Sequence, residues 1–261
     1  MKSSLTVFAR YAGLAGLPAF FPAFARAAWL EILPEFNPFK YNSFPVNAAR
    51  QSYLVTQAAQ AQVARAAGNG TITRLPRIHT FQSVVDYTVS TQAVVSGLYA
   101  RLPANGSELT RFDLNRVIRL GPLVDRSMET IVERLLPAAP RAFRTTLVTN
   151  ASPSSLEAVE RSIEAGGATE AVHGLGLAFP PGAFSLSHVA IPFPVTDPLY
   201  GSHPDPRESF GLHLGTLTPR GERGVLLVPL DALVRISSNP FYPYLERRVS
   251  EGIDGQLPPA Q

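Results

Sequence analysis

Residues 75–113 read LPRIHTFQSVVDYTVSTQAVVSGLYARLPANGSELTRFD, and how this stretch folds decides the architecture. Arg77 to Gln82 follows Pro76 and is apolar and β-branched enough for a short strand. Thr91 to Leu102 reads as a helix, closed by the turn Pro103-Ala104-Asn105-Gly106. Glu108 to Asp113 is a second strand. Strand, helix, strand in that order predicts an α/β fold with a mainly parallel sheet flanked by helices. Each strand runs into an aspartate, Asp86 after the first and Asp113 at the end of the second.

Working outward, the same alternation continues. Val46 to Ala67 is rich in Ala and Gln, and its glycine stop at Gly68-Asn69-Gly70 predicts a long helix. Ser127 to Leu136 predicts a short helix, and Phe143 to Thr149 a strand. Ser154 or Ser155 is placed to cap a helix from Leu156 to Ala165 that stops at Gly166-Gly167. Ala171 to Leu177 is a glycine-diluted strand, and Pro180 to His203 a long loop of Pro, Ser and aromatics. Gly224 to Val228 predicts a strand and Tyr244 to Ile253 a terminal helix. Residues 1–45 read as connecting helices and loop, 46–253 as the body of one domain, and 254–261 as a frayed tail. Met1 to Ala27 imitates a signal peptide, but Arg10 and the interruptions Gly13, Gly16, Pro18 and Pro22 favour two short helices broken at Pro18.

The 261 residues carry a net charge of +3 and 16% charged residues, with no lysine-rich block. Nucleic acid is therefore not an expected partner. Zero cysteines remove disulfides, thiolate metal sites and thiol nucleophiles. The five histidines show no H-x-H, H-x-x-x-H or H-E-x-x-H spacing, so no metal or cofactor is expected.

Two residues stand out as candidates for chemistry. Asp86 follows a strand, where open α/β sheets place their functional groups. A carboxylate there can accept the Nδ1 proton of a histidine and hold its tautomer. The other reading of Asp86 is a cap on the turn into the helix near Ser90. His188, in Ser185-Leu186-Ser187-His188-Val189-Ala190, sits on the long loop, where catalytic groups are often carried. The other reading is an ordinary loop histidine, with Ser185 and Ser187 capping its surroundings. Asp113 is the alternative acid. Ser83 is flanked two positions away by Phe81 and Val85, which denies it the small neighbours that a nucleophile turn requires. No G-x-S-x-G occurs anywhere in the chain.

The runs Trp29–Gln51, Leu75–Leu109, Ser185–Gly201 and Arg220–Val249 resemble the distal half of bacterial α/β-hydrolases of the serine esterase and lysophospholipase kind. This resemblance implies a partial α/β-hydrolase fold lacking its N-terminal strands. It implies carboxylic ester hydrolysis as the parent reaction, with His188 as general base and Asp86 as its orienting acid. The substrate would be a small ester or a lipid. With the serine elbow missing, the isolated chain is expected to be inactive, and to self-associate or require a complementing N-terminal half. The alternative is a non-catalytic exported binding protein that retains an acyl-binding groove.

Overall fold

The computed structural model describes residues 14, 16–32, 41, 43–86, 88–117, 135–203, 205, 207, 227 and 238–255. These belong to two compact units, one within Met1–Ile72 and Ser209–His213, the other within Thr73–Glu208 and Leu214–Gln261. The expected helix at Ser127–Leu136 and strand at Gly224–Val228 lie almost wholly outside the described residues, and most of the frayed tail does too.

In the first unit two 3-10 turns, Leu17–Phe20 and Pro22–Ala28, each begin with a proline at the first or second position. Proline suits those positions because the first helical N–H groups have no intrahelical acceptor. The break between them falls at extended Phe21 rather than at Pro18. Strand β1 (Trp29–Glu31) pairs antiparallel with β2 (Phe44–Pro45), and helix α1 (Val46–Gly68) follows directly. The helix has the expected extent, yet buries only Val46 and Ala49, against Phe44 and Tyr53.

The second unit is built on one sheet. Its strands are β3 (His79–Ser83), β4 (Glu108–Phe112), β5 (Arg144–Asn150), β6 (Glu157–Ile163) and β7 (Glu170–Ala178), in that spatial order. Helix α2 (Thr91–Gly97) connects β3 to β4, and Ser90 caps it by accepting from Ala93 N at 3.3 Å. Helix α3 (Tyr242–Asp254) carries the end of the chain. Among the described residues two interior clusters hold the unit together. Phe112, Val148 and Ala158 of the sheet pack with Phe179, Leu186, Ala190, Phe241 and Tyr244. Leu109 packs with Val95, Tyr99, Leu102 and Phe143.

The sheet corrects the expected fold class. β3, β4 and β5 are parallel, but β5–β6 and β6–β7 are antiparallel, so the sheet is mixed. It is not the mainly parallel, helix-flanked sheet of a partial α/β-hydrolase. The error lies at 156–165, which forms strand β6 instead of a helix. Its residues favour a helix locally, but both edges of the segment meet a partner strand, and pairing overrides propensity. The capping signals serve turns instead. Ser155 Oγ accepts from Glu157 N at 3.1 Å, and Ala151 N donates to Glu157 O at 2.8 Å, which closes the β5–β6 connection. Gly166 has φ +75°, as a turn requires. Charged residues of β6 pair across strands, Glu160 with Arg144 at 2.7 Å and Arg161 with Glu170 at 3.6 Å.

Candidate active site

β3 ends at Ser83, and the chain turns immediately: Asp86 N donates to Ser83 O at 3.2 Å. Val84 and Val85 are buried and anchor this turn. Asp86 Oδ1 then accepts from Thr88 N and Val89 N, both at 2.8 Å, which holds the carboxylate against the approach to α2. The turn-capping reading of Asp86 therefore describes its backbone contacts.

The loop carrying His188 is fixed just as locally. Ala190 N donates to Ser187 O at 2.9 Å, a β-turn in which His188 is the second residue. Ser187 Oγ accepts from Val189 N at 3.4 Å. Leu186 and Ala190, two positions either side of the histidine, are buried in the Phe112–Phe241 cluster. The histidine is thus held out of the core by neighbours that are locked into it.

The two loops meet. His188 Nδ1 lies 3.9 Å from Asp86 Oδ1, with the carboxylate side chain 6% exposed and the imidazole 23% exposed. This is ion-pair range, about 1 Å beyond a hydrogen bond. A buried carboxylate beside Nδ1 of a more accessible ring orients an imidazole for proton transfer once the two close to hydrogen-bond distance, about 1 Å nearer than here.

Asp113 is placed elsewhere. It is 2% exposed and accepts from Arg116 through both oxygens at 3.0 Å, from Thr149 Oγ1 at 2.8 Å and from Leu114 N at 2.8 Å. Those donors occupy it as a structural acceptor, so Asp86 is the carboxylate that stands beside His188. Ser83 and Ser187 are each 1% exposed, and so are shut away from any substrate.

Sequence reasoning missed the residues that pin the His188 loop. Asn115 N donates to Phe184 O at 2.8 Å, and its side-chain amide donates to Ala183 O at 3.0 Å. Asn150 Nδ2 donates to Asn115 Oδ1 at 3.1 Å. Asn239 Nδ2 donates to Ile191 O at 3.0 Å, and Asn239 N to Phe193 O at 2.7 Å. All three asparagines are buried, which such a polar side chain tolerates only when its hydrogen bonds are met. Asn115 follows the second strand-end aspartate by two positions, the one sequence signal that pointed there.

Comparison of the chain with protein-family models, curated proteins and solved structures finds no match. The expected likeness to α/β-hydrolases thus has only the quoted residues behind it, and the mixed sheet counts against it. A cavity beside the loop, lined by Ser185, Ser187, Ser202, Ser238, Phe179 and Phe241 among others, holds about 30 Å³, room for one water and not for an acyl chain. Among the described residues no group of three or more His, Asp or Glu could hold a metal, and no helix is long and apolar enough to cross a membrane.

Proposed function

We propose that Asp86 and His188 are the acid–base half of a site for carboxylic ester hydrolysis. The observation that carries this reading is the 3.9 Å approach of two loop residues 102 positions apart, one carboxylate buried and one imidazole accessible. In this role His188 takes the proton of an attacking hydroxyl and later returns it to the leaving alcohol. Asp86 holds the ring and stabilises the imidazolium formed in between. The resemblance to serine esterases supports the same assignment. The chain contains no G-x-S-x-G, so this reading takes the attacking serine from an associated polypeptide, as a complementing half would supply it.

The test is activity-based labelling in the natural host. The tagged chain is recovered with whatever polypeptide accompanies it and exposed to a fluorophosphonate, which reacts with activated serines. The expected result is labelling in the recovered material, lost in His188→Ala and reduced about 10²-fold or more in Asp86→Asn, because base and orienter act as a unit with the nucleophile. The purified chain alone should hydrolyse p-nitrophenyl butyrate no faster than its His188→Ala variant. Absence of any labelled serine, or labelling indifferent to His188, would overturn the reading.

A further inference from the structure

A second feature of the sheet unit shares no residue with the Asp86–His188 pair. A cleft of about 540 Å³ opens over strands β4, β5 and β6, and four of its lining residues are arginines: Arg111, Arg116, Arg141 and Arg161. The register puts three side chains in a row across the strands, since Arg111 pairs with Leu147 and Leu147 with Arg161. Arg111 and Arg161 therefore stand on one face of the sheet, two strands apart, with Leu147 between them. Arg141 enters just before β5, and Arg116 just after β4.

Among the described residues the charges that line this cleft do not balance. Asp113 and Glu170 are its acidic lining residues, and they leave two positive charges over. Asp113 is held by Arg116, and Glu170 lies 3.6 Å from Arg161. Arg111 and Arg141 make no ion pair among the described residues. Arg111 Nε, Arg141 Nη1 and Arg161 Nε are shut from solvent and have no hydrogen-bond partner among the described residues. Arg111 is 8% exposed. Burial pushes its guanidinium down to about 10, Asp113 opposes that, and Arg141 reinforces it.

We propose that this cleft binds a phosphoryl group. Two uncompensated charges match a dianion, which a monocarboxylate is not. Arginines reach the cleft from several elements, and their guanidinium forks offer more donors than the two oxygens of a carboxylate can use, whereas a phosphoryl group presents three terminal oxygens. Guanidinium is the side chain that recognises phosphate with fixed geometry. Leu136, Leu147 and Ile163 also line the cleft and give an organic substituent something to rest on. The shared chemistry covers free phosphate and a phosphate monoester, and the apolar lining favours the monoester.

Calorimetric titration of the full chain at low salt tests this with three probes: inorganic phosphate, phenyl phosphate and benzoate. Phenyl phosphate is expected to bind, with benzoate at least about tenfold weaker. Arg111→Gln and Arg141→Gln should each weaken phenyl phosphate about tenfold or more, while Arg207→Gln at an exposed site leaves it unchanged. Arg141 is the less buried of the two lining residues, so its variant tests the site even if Arg111→Gln fails to fold, as a thermal melt would reveal. Phenyl phosphate binding more tightly than inorganic phosphate identifies a monoester, and the reverse order identifies free phosphate. No binding of either phosphate at about 10 mM overturns the proposal. So does unchanged affinity in both variants, or benzoate binding as well as phenyl phosphate.

Discussion

Glu108 is 7% exposed on β4, and its neighbours explain how a charge survives there. Thr146 Oγ1 donates to it at 2.9 Å, Arg248 Nη2 at 2.5 Å and Arg144 Nη1 at 3.4 Å. His79 Nε2 lies 3.8 Å away and shares a 2.9 Å hydrogen bond with Thr110 Oγ1. Burial pushes Glu108 up, but His79, Arg248, Arg144 and the Thr146 hydroxyl outweigh it, and the net direction is below 4.5. For His79 burial dominates, Glu108 opposes it, and Arg248, Arg144 and Arg77 reinforce it, so the ring lies below 6.5. Both groups thus bind a proton less readily in the folded state than in the unfolded chain. The stability each contributes is full above its unfolded value and is lost as pH falls through the folded one. The urea midpoint should therefore hold steady above pH 6.5 and fall on acidification, first below 6.5 and again below 4.5. The two groups interact, so His79→Gln and Glu108→Gln should each reshape the fall as a whole. A midpoint that rises with acid would contradict the network.

At the scale of elements, the β6–β7 pairing carries a built-in irregularity. Glu157 faces Ala178 and Val159 faces Gly174, so β7 spends four residues where β6 spends two. Gly176 sits inside that bulge at φ +65°, a left-handed conformation that other residues enter at a cost of about 1–2 kcal/mol. Nothing lies within 4 Å of a Cβ at Gly176 or Gly174, so space is not the constraint at either site. Gly176→Ala should destabilise the sheet unit by about 1 kcal/mol through backbone strain alone. Gly174→Ala, at ordinary φ, should be neutral or stabilising by a few tenths, about 0.5 kcal/mol at most, because it restricts the unfolded chain. Paired urea melts separate the two, and equal effects would mean that the bulge is absent.

At the scale of the whole molecule, two features of the described residues favour association, one in each unit. In the first unit Leu17, Phe20, Phe21, Phe24, Leu30 and Ile32 are all exposed, Phe20 at 83%. In the second, β3 is an end strand of the sheet and pairs on one side only, with β4, among the described residues. Exposed aromatics and an unpaired strand edge both promote association. The chain should self-associate by light scattering and bind a hydrophobic dye. A Phe20→Ser, Phe21→Ser, Phe24→Ser variant should lose most of the dye binding while its melt is unchanged, since none of the three is buried. A monodisperse monomer that binds no dye would refute the expectation.

Local chemistry made much of this chain legible in advance. Pro76 and the Pro103–Gly106 turn bracket α2 between two strands, Gly68 stops α1, and the terminal helix follows Pro240. Asp86 and His188 also stood out as single residues, one after a strand and one on a Ser-rich loop. Their meeting was decided by tertiary structure, because Leu186, Ala190 and the asparagines at 115, 150 and 239 pin the loop through partners far away in the chain. Strand direction was decided there too. Residues 156–165 prefer a helix when judged alone and become β6 only because β5 and β7 satisfy both of its edges. The arginine cleft follows from the same pairing, since Arg111 and Arg161 share a face only once Leu147 lies between them. Helix signals act within a few residues and can be read along the chain, whereas a sheet's ladder joins distant residues whose pairing no local pattern encodes.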